Sequence, residues 1–419
     1  MKNTLTTLNF WQKSFFYLIL VARINAEPAK NILIDDFEDP GSWKSAMPPA
    51  TVEKYDHPKF GKAAMKIKMP GIIRKNYGRF WFPESDKVRM DEFQGISFWI
   101  KGDGSDNWGN ITIGDRYGYN YFHYFPLKNR EWENITVSWN DLIPQGQYDP
   151  INSHRCALVP SAIVNVEFGT GWKIFHNNMN IPAHEFCVDN LEFAREVKGE
   201  PLPPPGCAPI GKVLAKLRAK QPVKIGCLGD SITVGVGLKT PETSRYARVL
   251  ESMLRKEFGY DQVSVESRAV GGSDSVWGRS WLQRDFCGIQ PDMVILHYGY
   301  NDKSRKFTSA FFAQSMEDYV NRIERKTNGE ACLVLIPTMP GIGPRINMLD
   351  DYAGEIRALA KKRGLDCVDL HHVLKNTANL PSYFADMAHP NETGHQLMAA
   401  TICNHIKNLA PNKPQNAGQ

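Results

Sequence analysis

Beyond residue 220 the chain alternates between short apolar runs and longer stretches of helical period. Val223-Lys224-Ile225-Gly226-Cys227-Leu228 and Met293-Val294-Ile295-Leu296-His297-Tyr298 read as buried strands, bounded by turn residues. Strands are expected at 223–229, 263–269, 292–298, 332–337 and 366–370, and helices at 244–258, 309–326 and 351–363. Such alternation implies a parallel sheet covered on both faces. The first half has another rhythm. Ile96-Ser97-Phe98-Trp99-Ile100-Lys101, Ile111-Thr112-Ile113 and Ile135-Thr136-Val137-Ser138-Trp139 alternate with period two between Gly, Asp and Asn turns. That pattern predicts an antiparallel β-sandwich. Between the halves, Glu200-Pro201-Leu202-Pro203-Pro204-Pro205-Gly206 reads as an extended, semi-rigid spacer. The expected division is a leader at 1–26, a sandwich at 27–196, a Pro-rich linker at 197–210, an α/β domain at 211–410 and a polar tail at 411–419.

Composition narrows the classes. A length of 419 residues favours two domains, and 42% hydrophobic residues suffice for two packed cores. The net charge of +5 comes without a dense Lys/Arg run, so no nucleic-acid partner is expected. Lys2 and Lys13 precede the apolar run Phe15–Ala22, and Ala26 offers a small residue for cleavage, as in an export signal. A secreted or periplasmic location follows as an expectation, with an uncleaved anchor as the alternative. The run is too short for a stable membrane span, and no later segment is long enough either. Among the eight cysteines, Cys227, Cys332 and Cys367 sit in strand-like runs as small hydrophobes, and Cys156 and Cys187 form the best candidate disulfide. No Cys/His cluster has zinc spacing, and oligomeric state is not legible.

Candidate chemistry collects at strand ends, where ligand sites of open α/β sheets lie. Gly229-Asp230-Ser231-Ile232 ends the first strand. Ala269-Val270-Gly271-Gly272-Ser273-Asp274 follows the second, and Gly299-Tyr300-Asn301-Asp302 follows the third. Asp386-Met387-Ala388-His389-Pro390 precedes a helical pattern with Leu397, Met398, Ile402 and Ile406. These four blocks, in this order, resemble the SGNH/GDSL hydrolase family over roughly residues 220 to 410. The resemblance implies an α/β SGNH (flavodoxin-like) parallel sheet flanked by helices. It implies Ser231 as nucleophile, His389 as base, Asp386 orienting that base, and Ser231 N–H, Gly272 N–H and the Asn301 amide as oxyanion donors. The roles suit the residues, since a serine hydroxyl needs a base and imidazole titrates near neutrality. Gly271 is the alternative to Gly272, and His371 and His372 compete with His389. Ser267 stands where the family often has Asn, which leaves the anchoring of the second loop open. Asp230 and Asp302 read as local braces.

The first half resembles a galactose-binding-like jelly-roll carbohydrate-binding module, of the family 11 and complex I intermediate-associated type, over roughly residues 30 to 195. The marks are Ile34-Asp35-Asp36-Phe37-Glu38, Phe98–Gly104, Trp132 with Ile135-Thr136-Val137, and Val188-Asp189-Asn190-Leu191-Glu192-Phe193. At strand period Tyr117, Tyr119, Tyr121 and His123 share one face, which either contacts sugar or packs inward while Phe122 and Tyr124 face out. Asp35, Asp36, Glu38 and Asp189 are candidates for a structural calcium, or are solvated. Catalysis is expected to need no cofactor. Taken together, these expectations describe an exported serine esterase acting on an acetylated carbohydrate. The alternatives are a lipase or lysophospholipase of the same chemistry, and a glycan-binding protein with an inactive hydrolase domain.

Overall fold

The computed structural model of the protein describes residues 31–45, 50–73, 79–82, 90–145, 158, 160–169, 180–343 and 348–409. The leader, Cys156 and the 411–419 tail lie outside them. Cys187 is a free, buried thiol rather than half of a disulfide.

The first half folds as two antiparallel sheets. One runs Glu133–Ser138, Gly95–Gly102, His184–Ala194, Ala64–Met69, Thr51–Tyr55, with Ile32–Asp35 also pairing on His184–Ala194. The other runs Ile143–Gln145, Asn120–Pro126, Trp108–Asp115, Ile163–Gly169, Arg79–Phe82, Lys44–Ser45. Period two decides what is inside. Ile96, Phe98 and Ile100 face inward and share one core with Phe186 of the neighbouring strand and with Phe125 and Phe168 of the facing sheet. Phe98 and Phe168 lie edge to face, with ring centroids 5.1 Å apart.

The second half is a five-stranded parallel sheet in the order Val263–Ser267, Val223–Gly229, Met293–His297, Cys332–Ile336, Asp366–Cys367. This is the flavodoxin-like order, and it reverses between the first and third strands in sequence. The helices Tyr246–Phe258 and Ser309–Lys326 cover opposite faces and join separate apolar clusters. The fifth strand is shorter than the predicted 366–370. Asp369 accepts a hydrogen bond from the His372 N–H and caps the helix Leu370–Lys375, ending the strand early.

The linker is not a free spacer. Glu200 N–H donates to Asp141 Oδ2 at 3.1 Å, and the Glu200 carboxylate pairs with Lys326 at 3.3 Å. Arg325 Nε donates to the Pro201 carbonyl at 3.1 Å. Three buried guanidinium groups of the α/β half face one sandwich loop. Arg325 reaches the Asn140 carbonyl and pairs with Asp141, Arg322 reaches the Leu142 carbonyl, and Arg279 the Pro144 carbonyl. Asp318 neutralises Arg279 and Arg322 together, at 2.5 and 2.9 Å. Beside them Phe122 and Tyr124 pack with Val270 and Trp281, with Trp108 and Trp277 partly buried against the cluster. Removing one partner from such a buried network leaves charge without compensation, which costs several kcal/mol.

The proline run is therefore held against both halves rather than spacing them apart. The two halves should behave as one folding unit. A cut introduced between Pro201 and Pro205 should leave the pieces co-eluting on size exclusion. Residues 211–410 expressed alone should melt at least about 5 °C below the full chain, or fail to fold. A fragment melting where the full chain melts would contradict the tight seam.

Candidate active site

Ser231 opens a single helical turn, Ser231–Val234, at the exit of Val223–Gly229. Asp230 caps that turn, its Oδ1 accepting from Ile232 N–H at 3.0 Å. Gly235 ends it in the left-handed region, at φ 91°. Gly237, at φ 93°, is required for a second reason: a Cβ there would lie 3.1 Å from the Ala385 Cβ and 3.3 Å from the His389 Cβ. The nucleophile turn and the His389 segment thus close directly on each other.

That closure assembles a three-residue chain. The Ser231 hydroxyl lies 2.8 Å from His389 Nε2, and His389 Nδ1 lies 2.7 Å from Asp386 Oδ2. With its proton on Nδ1, the imidazole donates to Asp386 and accepts from Ser231, the arrangement a general base needs. Asp386 Oδ1 is held independently, accepting the Ala388 and His389 N–H groups at 2.8 Å each. Burial pushes the Asp386 carboxyl up, but these N–H groups and the His389 imidazole outweigh it, so the carboxyl titrates below its ordinary range.

The competing histidines lie elsewhere. His371 is buried between the Thr338 carbonyl at 2.6 Å and Asp350 Oδ1 at 2.8 Å. His372 is exposed and turned toward Asn376. Asp369 does stand three residues before His372, but its carboxylate is taken by Arg357 at 2.7 Å. The chain pattern alone did not discriminate against that pair, and the pairing with Arg357 does.

The second and third blocks meet beside Ser231. Gly272 sits at φ 74°. Asn301 Nδ2 donates to the Ser273 carbonyl at 2.9 Å and to Asp230 Oδ2 at 3.3 Å. Asp302 is fully buried and accepts from the Ser275 N–H and hydroxyl. Burial, and then the charge of Asp274, push its carboxyl well above the ordinary range. Asp230 is likewise pushed up, to about 6, by burial. Both acids are braces, as expected. The Ser267 hydroxyl donates to the Thr233 carbonyl at 3.0 Å, tying the second strand to the nucleophile turn.

The sandwich residues named from sequence do not form a sugar platform. Tyr121 is wholly buried in the sandwich core and Tyr119 packs against that core, while Tyr117 is exposed. His123 faces Gln283 Nε2 of the α/β half at 2.8 Å, and burial pushes its imidazole down to about 3. The opposite side of the strand, Phe122 and Tyr124, is covered by Val270 and Trp281. Tyr121 thus belongs to the sandwich core, and His123, Phe122 and Tyr124 meet the α/β half. The acids named for calcium are each engaged by nearby N–H groups. Asp35 accepts from Phe37 N–H and Trp43 Nε1, Asp36 from Glu38 N–H, Glu38 from Lys62 N–H, and Asp189 from the Lys59 and Phe60 N–H groups. Among the described residues, no group of three or more His, Cys, Asp or Glu side chains is placed to hold a metal ion. These carboxylates order backbone turns.

Comparison with known proteins places this geometry. An acetylxylan esterase of Xylanibacter ruminicola is 24% identical over 209 residues, covering 44% of this chain and 43% of that protein. The chain thus matches less than half of that relative's length. A lipase/acylhydrolase from Enterococcus faecalis is 21% identical in sequence, covers 46% of this chain and all of its own, and has a TM-score of 0.40. A two-domain esterase active on acetylated mannans is 23% identical over 50% of this chain and 56% of its own, at 0.42. The family 11 carbohydrate-binding module from Clostridium thermocellum is 21% identical over 40% of this chain and 97% of its own, at 0.32. Residues 227–397, which hold the strand ends, Ser231 and His389, match the GDSL-like lipase/acylhydrolase family, and the C-terminal half of this chain is a domain of that family.

Proposed function

We propose that the protein is an exported serine carboxylic ester hydrolase that removes O-acetyl groups from a polysaccharide or oligosaccharide. The observation that carries this reading is the unbroken hydrogen-bonded chain from Ser231 through His389 to Asp386. Ser231 Oγ attacks the ester carbonyl as its proton passes to His389 Nε2. The tetrahedral oxyanion rests on the Ser231 and Gly272 N–H groups, and on the Asn301 amide once it yields its longer contact with Asp230. His389 then protonates the departing sugar hydroxyl, leaving acetyl-Ser231. Water, deprotonated by the same imidazole, releases acetate and restores the serine.

The substrate class rests on the relative named for acetylxylan. A lipase reading would want a continuous apolar acyl groove. Among the described residues, Val236 and Met387 are exposed apolar side chains in the two segments that carry Ser231 and His389. Short acyl groups suit this rim. Turnover of p-nitrophenyl acetate should accordingly exceed that of the octanoate ester by at least about tenfold, since an apolar chain finds little to bury against. Preference for octanoate would favour the lipase.

Ser231→Ala should lower acetate-ester turnover by at least about a thousandfold without unfolding the protein, and His389→Ala comparably, because triad members act as a unit. His371→Ala should change turnover far less than His389→Ala. A Ser231→Ala protein that keeps near-normal turnover would sink the mechanism. Asp230 gives a separate pH test. Its folded carboxyl titrates at about 6 against an ordinary 3.8, so the folded state holds the proton more tightly. Its stabilising contribution is full below the ordinary value and is lost as pH rises through about 6. Asn keeps the cap acceptor without titrating. The melting temperature of wild type minus that of Asp230→Asn should thus fall by several degrees between pH 4.5 and 7.5. Parallel melting curves across that range would rule out a buried, proton-holding Asp230.

A further inference from the structure

The Gly272 loop is gripped residue by residue from one short stretch of chain. Tyr300–Ser304 forms a helical turn after the third strand, and Arg305 caps it. Residues 301 and 305 are four apart and face the same side. Asn301 holds the Ser273 carbonyl, and Asp302 holds the Ser275 N–H and hydroxyl. Arg305 takes the two remaining positions. Its Nη2 donates to the Gly272 carbonyl at 3.1 Å, and its Nε pairs with Asp274 Oδ2 at 2.9 Å.

Two further observations give Arg305 weight. A Cβ built on Gly272 would meet nothing within 4 Å, so no side-chain packing orients this glycine. A glycine at φ 74° without such packing depends on hydrogen bonds for its direction. Asp274, meanwhile, is fully buried, and its Oδ1 accepts the Trp277 N–H at 2.8 Å to cap Ser275–Arg279. Its charge needs a cation, and the forked guanidinium supplies one while its other arm reaches Gly272. Ser267 does not hold the loop from the strand side, since its hydroxyl is committed to Thr233.

We propose that Arg305 is a positioning residue for the ester hydrolysis described above: by holding the Gly272 carbonyl and the Asp274 carboxylate at once, it aims the Gly272 N–H at the oxyanion. The inference rests on the serine-hydrolase reading. It touches no reacting atom. Its effect is transmitted through the loop, so it belongs to the transition state rather than to substrate affinity.

The test uses the full-length protein with p-nitrophenyl acetate. Arg305→Lys retains a cation for Asp274, but a single ammonium cannot span both acceptors. Its kcat should fall roughly tenfold to a hundredfold, less than or equal to the loss of a whole oxyanion donor, with KM within about twofold. Inhibition by phenylboronic acid, which forms a tetrahedral anion on the serine, should weaken by the same factor as kcat/KM. Arg305→Ala, where it folds, should regain part of its kcat on addition of guanidinium at sub-denaturing concentration, and not on addition of ammonium. If Arg305→Ala fails to fold, the lysine variant decides. Arg305→Lys with kcat within twofold of wild type, or with boronate inhibition unchanged while kcat falls, overturns the proposal. Should Ser231→Ala also retain turnover, the serine-hydrolase reading itself has failed. With Ser231→Ala inactive and Arg305→Lys unimpaired, only the role of Arg305 is lost.

Discussion

The contact between the Ser231 hydroxyl and His389 Nε2 joins residues 158 positions apart, and the α/β domain is arranged so that it can form. A parallel sheet sends every strand out at the same edge. Reversal of strand order between the first and third strands opens a crevice there. Ser231 leaves the first strand into that crevice, the Gly272 loop enters from one neighbour and Asn301 from the other. The last block is brought in from the far end of the domain. Its approach depends on Gly237, where any side chain would press on Ala385 and His389. Asp386 is held by two N–H groups of its own segment, so the His389 imidazole arrives already oriented.

The sandwich is continuous with this arrangement through the seam. Val270 lies two residues before Gly272 and packs in the same cluster as Phe122 and Tyr124. Three buried arginines answer carbonyls of residues 140–144, and Asp318 balances two of them. Charged groups at such depth are tolerated because each has a fixed acceptor. The sandwich therefore supports the back of the loop that carries Gly272. A tethered module would have left that side of Val270 to solvent.

Much of this was legible because it is local. The five strands were readable as apolar runs ended by turns. Ser231, Asp386 and His389 sit in short blocks that could be read locally. What escaped reading depends on contacts between distant segments. Tyr117–His123 has the correct period, but period two says only which residues share a face. Whether either face meets solvent, core or another domain is set by Gln283, Val270 and Trp281, some 150 residues later. The proline run reads as a spacer until Arg325 and Lys326 reach Pro201 and Glu200. Asp35, Asp36, Glu38 and Asp189 are acids in turns, and composition alone does not separate a turn-ordering carboxylate from a calcium ligand. Arg305 lies outside every motif block. Its only signal was the fourfold spacing from Asn301, which gains meaning once the Gly272 loop is seen to pass above it.

The account turns on Ser231 being a hydroxyl activated by His389. A fluorophosphonate reacts covalently with such a serine and hardly at all with an ordinary one. Treatment of the full-length protein, followed by proteolysis and mass spectrometry, should place one adduct on Ser231. His389→Ala should slow its formation by orders of magnitude, while His371→Ala should form it at nearly the wild-type rate. An adduct on another residue, or labelling of Ser231 that proceeds equally fast without His389, would contradict the account.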